Sequence, residues 1–223
     1  MSTTKEPVAG GSPATSPDAA LQAIKAELRS AMNGIASRTI RESGMGYRLV
    51  FGVELPRLRE IALEFRSDGT PEADAAALRL AIALWKEDIR ECKLLAVLIC
   101  PPRLFDRDLA DIWLAALPPE QAEVAQLLAM ELLCRVPEAA DLAFRQMADE
   151  RPVYQLCGFL TLTRLIMQGG QLSPDSETEF LDQAAATLPS PYLPLRKAVQ
   201  NALLHYADSS DEARQKTEQL LCN

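Results

Sequence analysis

The sequence predicts an all-α protein, a curved α-solenoid (an alpha-alpha superhelix) of stacked helical hairpins, on three observations. Apolar residues recur at steps of three and four along nearly the whole chain after residue 18, and no segment reads as a strand. Gly is absent from 70 through 157, and the breaks between apolar segments carry proline where a helix can start: Pro56, Pro71, Pro119, Pro137, Pro152, Pro174 and Pro191. Proline suits a first helical turn, because the N–H it lacks has no intrahelical partner there. Hairpins then begin near residues 56, 88, 119, 152 and 191, and a period in the thirties is that of helical repeats.

In chain order, residues 1–17 are small and rich in Pro, Gly, Ser and Thr, with no apolar anchor to offset the entropy of ordering, so a disordered tail is expected ahead of a single helical repeat domain over 18–223. The first helix spans 18–33, with Leu21, Ile24, Leu28 and Met32 on one face, and a second covers 36–43. Pro56 opens 56–67, and Thr70 caps a helix that Pro71 begins and that runs to 86. Helices follow at 88–100 and 107–117, then at 119–135 from Pro119, 138–149 after Pro137 and 152–168 from Pro152. Ser173 with Pro174 starts 174–187, Ser190 with Pro191 starts 191–206, and Ser209 with Glu212 forms a capping box for 210–221. The stretches 78–85 and 157–166 are apolar on more than one face, as helices flanked by two neighbours are.

Composition excludes several classes. At 48% hydrophobic and 24% charged, the 223 residues are those of a globular protein. The longest apolar runs, such as 94–100, fall far below the roughly 20 residues of a membrane span, and the start of the chain has no signal-peptide run, so a cytoplasmic protein with no membrane partner is expected. Cys92, Cys100, Cys134, Cys157 and Cys222 lack C-x-x-C spacing and read as small buried hydrophobes. No phosphate-binding loop, dinucleotide fingerprint, zinc-protease motif or nucleophile elbow is present, so neither cofactor nor metal is assigned. The single histidine, His205, lies near a helix C-terminus, where it reads as a capping or surface residue.

Two segments go beyond generic helices. Gly52-Val53-Glu54-Leu55-Pro56-Arg57-Leu58-Arg59 sets a glycine before a proline-started helix with two arginines, and Leu84-Trp85 is followed by Arg90-Glu91-Cys92-Lys93. With Arg196-Lys197-Ala198-Val199 and the helix that follows, these resemble the AlkD-like family of DNA alkylation repair proteins, over residues 20 to 210. The resemblance implies HEAT-like repeats that bind duplex DNA on the concave face and excise N3- and N7-alkylated purines. A carboxylate would stabilise the oxocarbenium-like sugar, and indole faces would favour the cationic base. Carried onto this chain by spacing, the family's tryptophan, aspartate, arginine and second tryptophan fall at Pro118, Ala122, Leu156 and Asn201, so no catalytic residue is assigned; a shift of one residue makes Glu123 the one weak candidate. Trp85 and Trp113, the chain's only tryptophans, sit on apolar faces and read as core.

A net charge of -8 opposes nucleic-acid binding except through a local patch. Only residues 18–66 are net positive, at +2, against -7 for 67–151 and -3 for 152–223. Arg38, Arg41 and Arg48 are therefore the leading candidates for an anion, with Arg90, Lys93, Arg196 and Lys197 on later helices behind them. The competing reading pairs the N-terminal arginines with Glu42, Glu54, Glu60 and Glu64 on neighbouring turns. The expected function is a non-catalytic scaffold that binds DNA or a protein partner on its concave face. A divergent alkylpurine glycosylase using Glu123 and a pure protein-interaction module are the alternatives.

Overall fold

The computed structural model describes residues 16–222. These form twelve α-helices: α1 (Pro17–Ser30), α2 (Gly34–Glu42), α3 (Leu55–Phe65), α4 (Pro71–Trp85), α5 (Arg90–Ile99), α6 (Arg107–Ala115), α7 (Ala122–Leu127), α8 (Ala139–Met147), α9 (Pro152–Met167), α10 (Pro174–Thr187), α11 (Leu193–Ala207) and α12 (Asp211–Cys222). They stack in two layers. In one, α3, α5, α7, α9 and α11 follow side by side. In the other, α1 packs on α4, the rings of Trp85 and Trp113 join α4 to α6, Arg145 joins α8 to Asp111 of α6, and α10 packs on α12.

A helix in the middle of the first layer has neighbours on every side, and α5 shows the consequence: all ten of its residues are buried, Arg90, Glu91 and Lys93 included. The indoles of Trp85 and Trp113 lie nearly parallel with centroids 4.0 Å apart, inside the core as expected. Close approach of α8 and α9 depends on Gly158, where a Cβ would stand 2.6 Å from the Ala143 carbonyl oxygen.

Several boundaries differ from the periodic reading, each for a local reason. Ser16 caps α1 through the Ala19 N–H, and Pro17 opens its first turn, so these two residues leave the expected tail; residues 1–15 of that tail lie outside the described residues. The helix ends at Ser30, which leaves Met32 60% exposed instead of on the buried face. The segment 119–135 is a succession of a 3-10 turn at Pro119–Gln121, α7, a π turn at Leu128–Leu132 and a closing 3-10 turn at Leu133–Arg135. Ser190 accepts from the Tyr192 N–H, which delays α11 to Leu193, with Pro194 in its first turn. Ser210, not Ser209, supplies the side-chain cap of α12, because the Ser209 hydroxyl donates to the Tyr206 carbonyl. Four cysteines are buried, but Cys222 is exposed at the end of α12, beyond the last covering helix. Leu49 forms a single parallel bridge with Ile89, the one extended pairing among the described residues.

Candidate nucleic-acid interface

The N-terminal ends of α3, α5 and α7 meet at the loop 44–54, and one buried carboxylate organises the junction. Glu91, fully buried in the first turn of α5, accepts the Phe51 N–H at 3.0 Å and the Gly52 N–H at 2.9 Å. From the other side, Phe51 O accepts from the Asn33 N–H and Val50 O from the Ser37 hydroxyl, which ties α2 to the same loop. Gly52 adopts φ +75°, and a Cβ there would stand 2.4 Å from both the Asn33 carbonyl oxygen and the Ser37 nitrogen, so only glycine fits.

Arg90 neutralises this buried acid and extends the network. Its Nη1 donates to Glu91 at 3.0 Å and to the Val53 carbonyl at 3.2 Å, while Nε and Nη2 grip both oxygens of Glu123 in α7, at 2.7 and 2.5 Å. The two sequence motifs, Gly52 to Arg59 and Arg90-Glu91, are therefore two halves of one hydrogen-bonded joint. Lys93 is buried as well, with its Nζ donating to the Trp85 carbonyl and 4.8 Å from the Trp85 ring centroid. Contrary to the expectation from sequence, Arg90 and Lys93 do not offer surface contacts to an anion, because burial and internal partners occupy them.

Glu123, the one weak catalytic candidate, retains 35% of its side-chain exposure but is held bidentately by Arg90. Of the other aligned positions, Leu156 is fully buried, while Pro118 and Ala122 are half-buried and Asn201 lies exposed on α11. Two tyrosines that spacing could not find stand around the start of α7. The Tyr47 hydroxyl is buried without a hydrogen-bond partner among the described residues, and burial first and the Glu123 carboxylate second push its ionisation up. The Tyr192 hydroxyl donates to the Pro119 carbonyl at 2.6 Å, and burial raises its pKa to about 12. Tyr47 precedes Glu123 by more than two repeats, so no local pattern could have joined them.

The remaining cations named from the sequence fall into two groups. Arg38 pairs with Glu42 one turn away and Arg57 with Glu60, as the competing reading anticipates; Arg57 also reaches Glu27 on α1, and Arg59 crosses to Glu131 in the π turn at 2.6 Å. Arg41 uses Nε on the Ser37 carbonyl and is otherwise exposed. The side chains of Arg48, Arg196 and Lys197 engage no carboxylate among the described residues. Arg48 follows Gly46, which approaches Glu120, and Arg196 and Lys197 follow Tyr192, whose hydroxyl reaches the Pro119 carbonyl, so both the loop and the start of α11 touch the 3-10 turn ahead of α7. Among those residues no group of His, Cys, Asp or Glu could hold a metal ion, and no helix is long and apolar enough to cross a membrane.

Comparison with known proteins adds two findings. A family model described as DNA alkylation repair enzyme matches residues 24–216. A solved structure, described as a new family of proteins related to the HEAT-like repeat DNA glycosylases with affinity for branched DNA structures, superposes with a TM-score of 0.71 at 19% identity, covering 89% of this chain and 80% of its own. That likeness shows the HEAT-like fold. No curated protein sequence matches.

Proposed function

The chain belongs to the DNA alkylation repair enzyme family, and from that premise we propose that it binds DNA as a helical scaffold and does not excise alkylated bases. The observation that carries this reading is the bidentate Arg90–Glu123 pair. A carboxylate that must stabilise a developing sugar cation needs its charge available, and here a guanidinium already holds both oxygens. The affinity of the structurally similar protein for branched DNA supports a nucleic-acid partner. Among the cations named from the sequence, Arg41, Arg48, Arg196 and Lys197 have no carboxylate partner among the described residues and can meet phosphate, with Arg38 available when its exposed pair with Glu42 opens.

Fluorescence anisotropy with duplex and four-way-junction DNA across a salt series tests the reading. Binding at low salt is expected, and replacing Arg48, Arg196 and Lys197 by glutamine should flatten the slope of log affinity against log salt by up to about 3, at roughly 0.9 for each phosphate no longer neutralised. No binding at low salt removes DNA as the partner and leaves a protein-interaction module. The glycosylase alternative draws on Tyr47 and Tyr192, aromatic side chains close to the start of α7. Release of 7-methylguanine from alkylated DNA that scales with protein and vanishes in Glu123→Gln would establish it instead.

A further inference from the structure

At the opposite ends of α3, α5 and α7 from the loop 44–54, the chain leaves each helix beside an arginine. Arg66 follows α3, Arg103 lies in the 3-10 turn after α5, and Arg135 ends the run that α7 begins. All three line one open cleft of about 420 Å³, within the size range of sites that hold small organic ligands. Among the described residues Asp74 is the one carboxylate that lines the cleft, and Arg103 binds it. Arg66 spends Nε on the Leu98 carbonyl at 2.8 Å, and Arg135 spends Nη1 on the Glu131 carbonyl at 3.3 Å. Those acceptors are neutral, so two guanidinium groups have no carboxylate partner among the described residues, in one concavity of a chain with net charge -8.

Capping of helix ends by arginine accounts for one N–H of each side chain. It does not account for the convergence of Arg66 and Arg135 beside the Arg103–Asp74 pair, where two like charges repel unless an anion lies between them. Both Nη atoms of Arg66, and Nε with Nη2 of Arg135, remain without partners among the described residues. Guanidinium forks of this kind match the oxygens of a phosphate in paired hydrogen bonds. We propose that this cleft binds the phosphate group of a nucleotide-sized ligand, either a free nucleotide or the phosphorylated end of a nucleic-acid strand. The adjoining cleft of about 460 Å³ shares Arg103 but carries four carboxylates, so the phosphate belongs on the Arg66–Arg135 side. The ten residues of α5 separate the cleft from Glu123 and the loop by about 15 Å of helix, and the site does not depend on the surface proposed above.

Calorimetric titration of the full chain at low salt tests it with four probes: inorganic phosphate, adenosine monophosphate, a short single-stranded oligonucleotide with a 5′-phosphate, and the same oligonucleotide without it. Binding of adenosine monophosphate, weakened at least tenfold in the Arg66→Gln/Arg135→Gln variant, is expected for a free nucleotide. Preference for the phosphorylated over the unphosphorylated oligonucleotide, abolished in the same variant, identifies a strand end. Failure of all the phosphate-bearing probes to bind overturns the proposal, as does binding that the double variant leaves unchanged. Should that variant not fold, Arg66→Lys/Arg135→Lys keeps the charges and removes the forks: weakened binding with an unchanged thermal midpoint supports the site, and undiminished binding refutes it.

Discussion

At the residue scale, Glu91 concentrates more structural consequence than any catalytic candidate. It is fully buried, accepts two backbone N–H groups of the loop and pairs with Arg90, so its removal strands two buried backbone donors and takes one of the two carboxylates from Arg90. Truncation of one partner of a buried ion pair costs about 3–5 kcal/mol, and Glu91→Ala should lose that much in urea denaturation. A loss below about 1 kcal/mol would show that water replaces the carboxylate and that the joint is not the clamp described. Gly52→Ala strikes the same joint through sterics, since both the positive φ and the approach of Asn33 and Ser37 oppose a Cβ. It too should lower the denaturation midpoint.

Single helices fail or hold at their ends. The α1 helix rests on Ser16, whose hydroxyl oxygen accepts from the Ala19 N–H at 3.2 Å. Ser16→Ala should therefore cost about 1 kcal/mol, while deletion of residues 2–15, which have no apolar pattern to dock, should leave the thermal midpoint in place. A midpoint drop on that deletion, measured by circular dichroism, would mean that the tail packs on the repeats. At the other end, Cys222 is the exposed thiol and the remaining four are buried. A colorimetric disulfide reagent should titrate one thiol in the native protein and five after denaturation. More than one fast-reacting native thiol would indicate that a repeat opens under native conditions.

Over the whole molecule, the buried thiols also tie stability to pH. Burial pushes both Cys92 and Cys100 up to about 12, against about 8.5 for an unfolded thiol. Above pH 8.5 the unfolded chain releases these protons and the folded chain keeps them, so stability is fully present below that pH and falls as pH rises toward 12. The slope approaches about 1.4 kcal/mol per pH unit for each thiol. Urea titrations at pH 8 and 9.5 should show the decline, and Cys92→Ala/Cys100→Ala should flatten it; an equal decline in that variant would assign the effect to other groups. The carboxylates act in the opposite range. Lys216 and then the Tyr206 hydroxyl hold Glu177 below the usual carboxylate range, and Arg103 does the same for Asp74. Both contributions are present at neutral pH and disappear as pH falls through the depressed values.

Everything that acts over one or two turns is written in the sequence itself. The steps of three and four place Leu21, Ile24 and Leu28 in the core, Thr70 and Ser173 cap the helices that follow them, and the two-faced stretches at 78–85 and 157–166 lie in helices covered from several directions. These follow from local backbone geometry and from hydrophobic periodicity, both carried by neighbouring residues. The same signals misplace Ser209, Ser190 and Met32 only by a residue or two, where competing local hydrogen bonds decide a boundary. What the charged residues do is decided only in the folded chain. Glu123 meets Arg90 across 33 residues, Phe51 meets Glu91 across 40 and Arg59 meets Glu131 across 72, each an interaction between repeats. Periodicity says which face of a helix is buried, but not which charge on the next helix stands opposite it. Arg90 therefore reads as a surface cation in the chain and is a buried clamp in the fold, while Arg66, Arg103 and Arg135, scattered over three repeats, come together in one cleft because stacking aligns the ends of their helices.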